Sequence, residues 1–198
     1  MVKRLSDWTE VIPMKTVELR TPLDERQISQ LESGDKVFLS GVIYTARDAA
    51  HKRLVALIDE GKELPFDLKG AVIYYVGPAP SKPGQVINSA GPTTSYRMDL
   101  FTPLLLEHGL KGTIGKGPRS KKVRDSMVSN GGVYFAAVGG AAAGIASSVK
   151  KAEIIAYDDL GPEAIRKLVV ERMPLFVVND IRGNDLFEAG VSNYRREE

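Results

Sequence analysis

Apolar and polar positions along the chain predict strands and helices in alternation. Lys36 to Thr45 (KVFLSGVIYT) is rich in β-branched and aromatic residues and runs, without a long loop, into Arg47 to Ile58. There Ala46, Ala50, Leu54, Leu57 and Ile58 fall on one helical stripe, so a strand should be followed directly by a helix. Ala71 to Val76 reads as a second apolar strand, closed by the Pro- and Gly-rich loop Gly77 to Gly84. A helix is predicted from Asp99 to His108, a short strand from Lys111 to Ile114, and a helix from Ser120 to Val128. Val133 to Val138 (VYFAAV) is continuously apolar, as a strand buried on both faces should be. The small-residue run Gly139 to Ser148 follows. Strands are then expected at Glu153 to Tyr157 and Leu175 to Asn179, with a helix from Pro162 to Glu171 between them. Near the start, Thr16 to Leu19 reads as a strand, after which Thr21 is placed to cap, and Pro22 to begin, a helix reaching about Leu31. Residues 1–15 carry Trp8, Val11, Ile12 and Met14 without a period and read as an N-terminal arm. The alternation predicts an α/β fold, with residues 16–198 as a single domain whose largely buried sheet is flanked by helices.

Composition narrows the chemistry. The chain contains no cysteine, which excludes disulfides, thiol nucleophiles and a thiolate-held metal cluster on its own residues. With only two histidines, His51 and His108, no metal site is expected here. A net charge of +2 implies no global field for nucleic acid. The local basic stretch Lys116 to Arg124 lacks interleaved aromatics, so base stacking is not expected either. No apolar run approaches the roughly eighteen residues of a membrane span. Asp7, Trp8 and Glu10 interrupt what a signal peptide would need, so a cytoplasmic protein without membrane association is the expectation.

Four segments are candidates for function. In Thr45-Ala46-Arg47-Asp48-Ala49-Ala50-His51, Arg47 falls where a strand meets a helix, the usual ligand position in open α/β sheets. It either forks onto a carboxylate beside the first-turn amides or is a surface residue paired with Asp48. Gly91-Pro92-Thr93-Thr94-Ser95-Tyr96-Arg97-Met98-Asp99 concentrates hydroxyls and a guanidinium, and reads either as anion binding or as a turn leading into a capped helix. Lys111 to Ser120 fails as a phosphate loop, because Leu110 and Gly117 stand where glycine and a hydroxyl are required. Lys116, between two glycines, either meets an anion or sits in a solvated turn. Val138 to Gly144 lacks the dinucleotide glycine order and reads as a packing element. Asp158-Asp159 and the stretch Asn179 to Asp185 read as solvated turns.

In this order, GVIYTARDAAH, GPTTSYRMD, IGKGPRS and YFAAVGGAAAG resemble the β subunit, or carboxy-terminal domain, of class I iron–sulfur fumarases and the related L-tartrate dehydratases. The resemblance implies a swivelling β/β/α-type domain closing over an α subunit that carries a four-iron, four-sulfur cluster on three cysteines. In that family an unligated iron of the cluster binds the substrate's carboxylate and hydroxyl. By motif position, Arg47, Arg97 and Lys116 would hold a C4 dicarboxylate, Thr93 would transfer the proton, and Ser120 falls at the hydroxyl position of the KGxxS pattern. Asp48 and His51 would orient Arg47 or relay protons, with Thr94 and Asp99 in similar supporting positions. Tyr96 departs from the small residue expected there and would narrow the pocket. The implied activity is interconversion of fumarate and (S)-malate by a hetero-oligomeric hydro-lyase. A tartrate dehydratase β subunit, or a non-catalytic dicarboxylate-binding module, is the alternative.

Overall fold

Alternate residues of the central strands feed two different apolar clusters, and this positions everything else. In the computed structural model, which describes residues 14–79, 86–137 and 142–194, β3 (Val72–Tyr74) and β5 (Val133–Ala136) are buried on both faces. Val72, Tyr74, Val133 and Phe135 join one cluster with Val37, Leu39, Met173 and Leu175. Ile73, Tyr75 and Tyr134 face the other way, among Leu54, Leu105, Val123 and Met127. Strands sandwiched in this manner need no polar alternation, which is why the apolar runs stand out in the sequence.

The remaining strands are β1 (Thr16–Arg20), β2 (Lys36–Thr45), β4 (Gly112–Gly115), β6 (Val149–Ala156) and β7 (Ile165–Asn179). Together they form a seven-stranded sheet in the order β1-β2-β3-β4-β5-β7-β6. Strands β1 to β5 pair in parallel, while β7 runs antiparallel to both β5 and β2. That double pairing closes β2, β3, β4, β5 and β7 into a ring, with β1 and β6 attached outside it. The helices are α1 (Glu25–Ser29), α2 (Asp48–Asp59), α3 (Thr102–Glu107), α4 (Lys121–Asn130), α5 (Ala142–Ser148) and α6 (Leu186–Tyr194). Side chains of α2, α3 and α4 cover the outer face of β3 to β5. The carboxyl ends of β2, β3 and β4 therefore emerge side by side on one rim.

Several expectations change. The helix expected from Pro162 to Glu171 is absent: Asp158–Glu163 forms a 3-10 segment interrupted at Gly161, and Ile165 onward is strand. Local helix propensity in EAIRKLVVER yields because residues 167–170 pair with β2 on one side and residues 165–170 with β6 on the other. The first helix begins after Asp24, not Thr21; the Asp24 carboxylate accepts from the Gln27 amide at 2.7 Å and completes a capping box. The stretch from Asn179 to Asp185 is solvated only in part: Arg182, Gly183 and Asn184 are exposed, whereas Asn179, Asp180 and Asp185 are buried. Asp180 is 1% exposed and accepts from the backbone N–H groups of Ser33, Arg182 and Asn184. The expected arm lies outside the described residues up to position 13, as do Gly139, Gly140 and Ala141.

Candidate functional site

Arg47 is the N-cap residue of α2, in extended conformation just past the end of β2. Its guanidinium rests against Gly77, where an added methyl would sit 2.9 Å from Nη1 and 3.2 Å from the Pro162 carbonyl, so any side chain here would displace the guanidinium. Nη2 lies 3.4 Å from Glu163 Oε1. Arg47 Nε is enclosed and has no hydrogen-bond partner among the described residues. A half-buried cation with unspent donors at a helix N-terminus suits a carboxylate.

Asp48 does not pair with Arg47. Its Oδ1 accepts from Arg97 Nε at 3.0 Å, and its Oδ2 lies 2.9 Å from Arg97 Nη2. This fork brings the second arginine, carried on the 3-10 turn Ser95–Met98, to the first turn of α2. His51 is fully buried one turn on, between the rings of Tyr75 and Phe101. Its Nδ1 faces the Arg47 carbonyl at 2.8 Å, which requires the proton on Nδ1 and leaves Nε2 as a lone pair without a partner among the described residues. Burial lowers its pKa to about 4, so the ring is neutral at physiological pH.

Residues 93 to 95 are laid along the strand ends by backbone bonds. Thr93 N–H donates to the Tyr75 carbonyl at 2.7 Å, Thr94 bridges Lys116, and Ser95 N–H donates to the Lys116 carbonyl at 2.9 Å. Ser95 Oγ and Tyr134 Oη are 3.0 Å apart, and a methyl on Gly115 would overlap Ser95 Oγ, so only glycine at the end of β4 permits this approach. Thr93 and Thr94 are half-buried, and Lys116 is exposed with no side-chain partner among the described residues.

Arg47, Asp48, Thr93, Thr94, Arg97 and Lys116 thus gather on one rim. Ser120 has another duty: its Oγ caps α4 by accepting from Val123 N–H at 3.4 Å. Tyr96 is 63% exposed and lines a groove with Leu100, Pro118 and Lys122. The basic stretch also resolves into separate roles. Arg119, with no side-chain exposure, donates to Asp99, Thr113 and Thr102. Arg124 pairs with Asp185 and Glu188. Glu163 and Arg119 were not singled out by sequence reading, because each acts through partners distant in the chain.

The fold and rim define a mixed α/β domain with cationic side chains at adjoining strand ends. The match of residues 2–190 to the fumarase C-terminus model makes the family plain: this chain belongs to it. It is 44% identical over 176 residues, 87% of its length, to "Fumarate hydratase class I, anaerobic" of Escherichia coli, and 41% identical over 175 residues, 86% of its length, to "Fumarate hydratase 2" of Leishmania major. It spans only 32% and 31% of those two proteins. It is also 39% identical to the "Putative L(+)-tartrate dehydratase subunit beta" of Methanocaldococcus jannaschii over 172 residues, 84% of this chain and 88% of that protein.

Proposed function

We propose that this chain is the β subunit of a two-subunit hydro-lyase interconverting fumarate and (S)-malate, in which it supplies the carboxylate-binding cations and the proton-transfer residue. The observation that carries this is that Arg47, Thr93, Thr94 and Lys116 stand at the adjoining ends of β2, β3 and β4, with Arg97 tied to the same rim by Asp48. The relatives that share most of this sequence and bear fumarate hydratase names support the choice of reaction. In this reading Arg47 and Lys116 hold the substrate carboxylates, and Arg97, aimed by Asp48, adds a third positive charge. Removing a proton from the carbon beside a carboxylate develops negative charge, which fixed cations stabilise by several kcal/mol. Thr93 exchanges that proton, its alkoxide favoured by the surrounding cations. Thr94 lines the approach, His51 holds the Arg47 backbone, and Ser120 serves the site through the helix it starts.

Residues of this chain do not fit an iron–sulfur cluster: it has no cysteine, and no group of three His, Asp or Glu residues suited to a metal occurs among the described residues. In the proposed enzyme the four-iron, four-sulfur cluster belongs to a separate α subunit, over which residues 16–198 close as a swivelling domain and to which the arm of residues 1–15 crosses. No helix among the described residues is long and apolar enough to cross a membrane. The deciding experiment is anaerobic hydration of fumarate, with tartrate dehydration in parallel, by this chain with and without the cluster-bearing subunit. Turnover of fumarate only in the mixture is the expected result; turnover of tartrate alone would assign the chain to the second reading. That reading draws on the methanogen relative, which matches this chain over nearly its whole length. Dicarboxylate binding without turnover in the assembled complex would leave a binding module.

A further inference from the structure

Glu163 reaches Arg47 from the other end of the sequence, and its carboxylate is divided between two tasks. Oε2 accepts from the Ala49 N–H at 3.1 Å, satisfying one of the free amides of the first turn of α2. Oε1 lies 3.4 Å from Arg47 Nη2, a contact of charge with charge that consumes no hydrogen-bond donor. The side chains are 24% and 22% exposed, enough shielding for the charge to act on its neighbour.

The segment that carries Glu163 is tied down on both sides. Thr45 Oγ1 donates to the Ala164 carbonyl at 3.2 Å and accepts from Arg166 N–H at 2.9 Å, linking the residue after Glu163 to the strand end just before Arg47. The Arg166 guanidinium donates to the carbonyls of Gly161, Pro162 and Ala164. Arg53 forks onto Asp159 and lies over the Tyr157 ring, docking the same segment on α2. Glu163 is therefore a fixed counter-charge. Arg97, Arg119 and Arg166 all donate hydrogen bonds to protein acceptors, whereas the Arg47 guanidinium donates none among the described residues. Glu163 holds Arg47 in place and leaves its donors unspent.

We infer that Glu163 is the positioning residue for Arg47, aiming the guanidinium at the rim for a substrate carboxylate; this rests on the dicarboxylate-site reading above. A helix cap alone explains only the Oε2 contact. Glu163→Gln separates the two tasks, because the amide oxygen can still accept from Ala49 N–H while the charge facing Arg47 is gone.

The test is steady-state kinetics of the anaerobic complex with its cluster-bearing subunit, comparing wild type, Glu163→Gln, Arg47→Ala and the double variant, with melting temperature as the fold control. Glu163→Gln is expected to raise KM for the dicarboxylate about tenfold, or 1.4 kcal/mol, with an unchanged melting temperature. In the Arg47→Ala background the same change is expected to have no further effect on KM, since the two residues act as one unit. A KM within about twofold of wild type in Glu163→Gln, or an effect that adds in full to that of Arg47→Ala, overturns the inference while the site reading stands. An Arg47→Ala complex that binds and turns over like wild type overturns the site reading itself.

Discussion

Asp48 serves Arg97, 49 residues further along the chain, and not its sequence neighbour Arg47: Nε donates to Oδ1 at 3.0 Å and Nη2 stands 2.9 Å from Oδ2. Arg97 is thereby aimed by a residue of the helix that begins beside Arg47. With side chains 42% and 31% exposed, the pair contributes less than about 1 kcal/mol to stability, and its value lies in orientation. Asp48→Asn is expected to leave the denaturation midpoint almost unchanged and to raise KM for the dicarboxylate by roughly threefold to tenfold in the assembled enzyme, because Arg97 loses its charged guide. An unchanged KM would remove Arg97 from the binding site.

His51 links stability to pH. Its folded-state pKa of about 4 lies below the ordinary value of 6.5, because burial disfavours the imidazolium. The unfolded chain then binds more protons, so the contribution is fully present above about pH 6.5 and is lost as pH falls towards 4. At pH 4.5 the loss attributable to this residue is on the order of 2–3 kcal/mol. Urea midpoints at pH 7 and pH 4.5 should therefore differ less in His51→Gln than in wild type. Equal differences in the two proteins would show that the ring does not titrate as its burial implies.

Arg119 is the structural cation beneath the rim. Replacing it with methionine leaves the Asp99 carboxylate, 11% exposed, without its ion-pair partner and strips Thr102 and Thr113 of a donor. The expected cost is about 3–5 kcal/mol of folding stability, read from chemical denaturation of the isolated chain. A loss below about 1 kcal/mol would mean that water replaces these bonds freely.

Ser120 separates capping from substrate contact. Ser120→Ala should cost about 1 kcal/mol by removing the cap on α4, with KM for the dicarboxylate kept within about twofold of wild type. A large rise in KM at unchanged stability would instead give the hydroxyl a place on the substrate.

Much of the fold is legible in the sequence for a local reason. KVFLSGVIYT forms the whole of β2, and the Ala50 and Leu54 stripe predicts the buried face of α2, because alternation and helical period depend only on neighbours along the chain. The rim residues Arg47, Thr93, Arg97 and Lys116 stand out for the same reason, each in a short segment whose polar content exceeds what a turn needs. The 3-10 segment ending in Glu163 escaped notice because its local sequence favours a helix and only pairing with β2 and β6 overrides that preference.

By itself the sequence determined the alternation of strands and helices, the absence of thiol chemistry and the identity of the cations, since these follow from residue type and spacing. Only the tertiary structure decided which charges meet. Closure of the sheet through β7 carries Glu163 to Arg47, the 3-10 turn delivers Arg97 to Asp48, and burial assigns Arg119 to the core while leaving Lys116 in solvent. Ion pairing depends on distances of a few ångströms between residues far apart in the chain, and no local pattern encodes those distances.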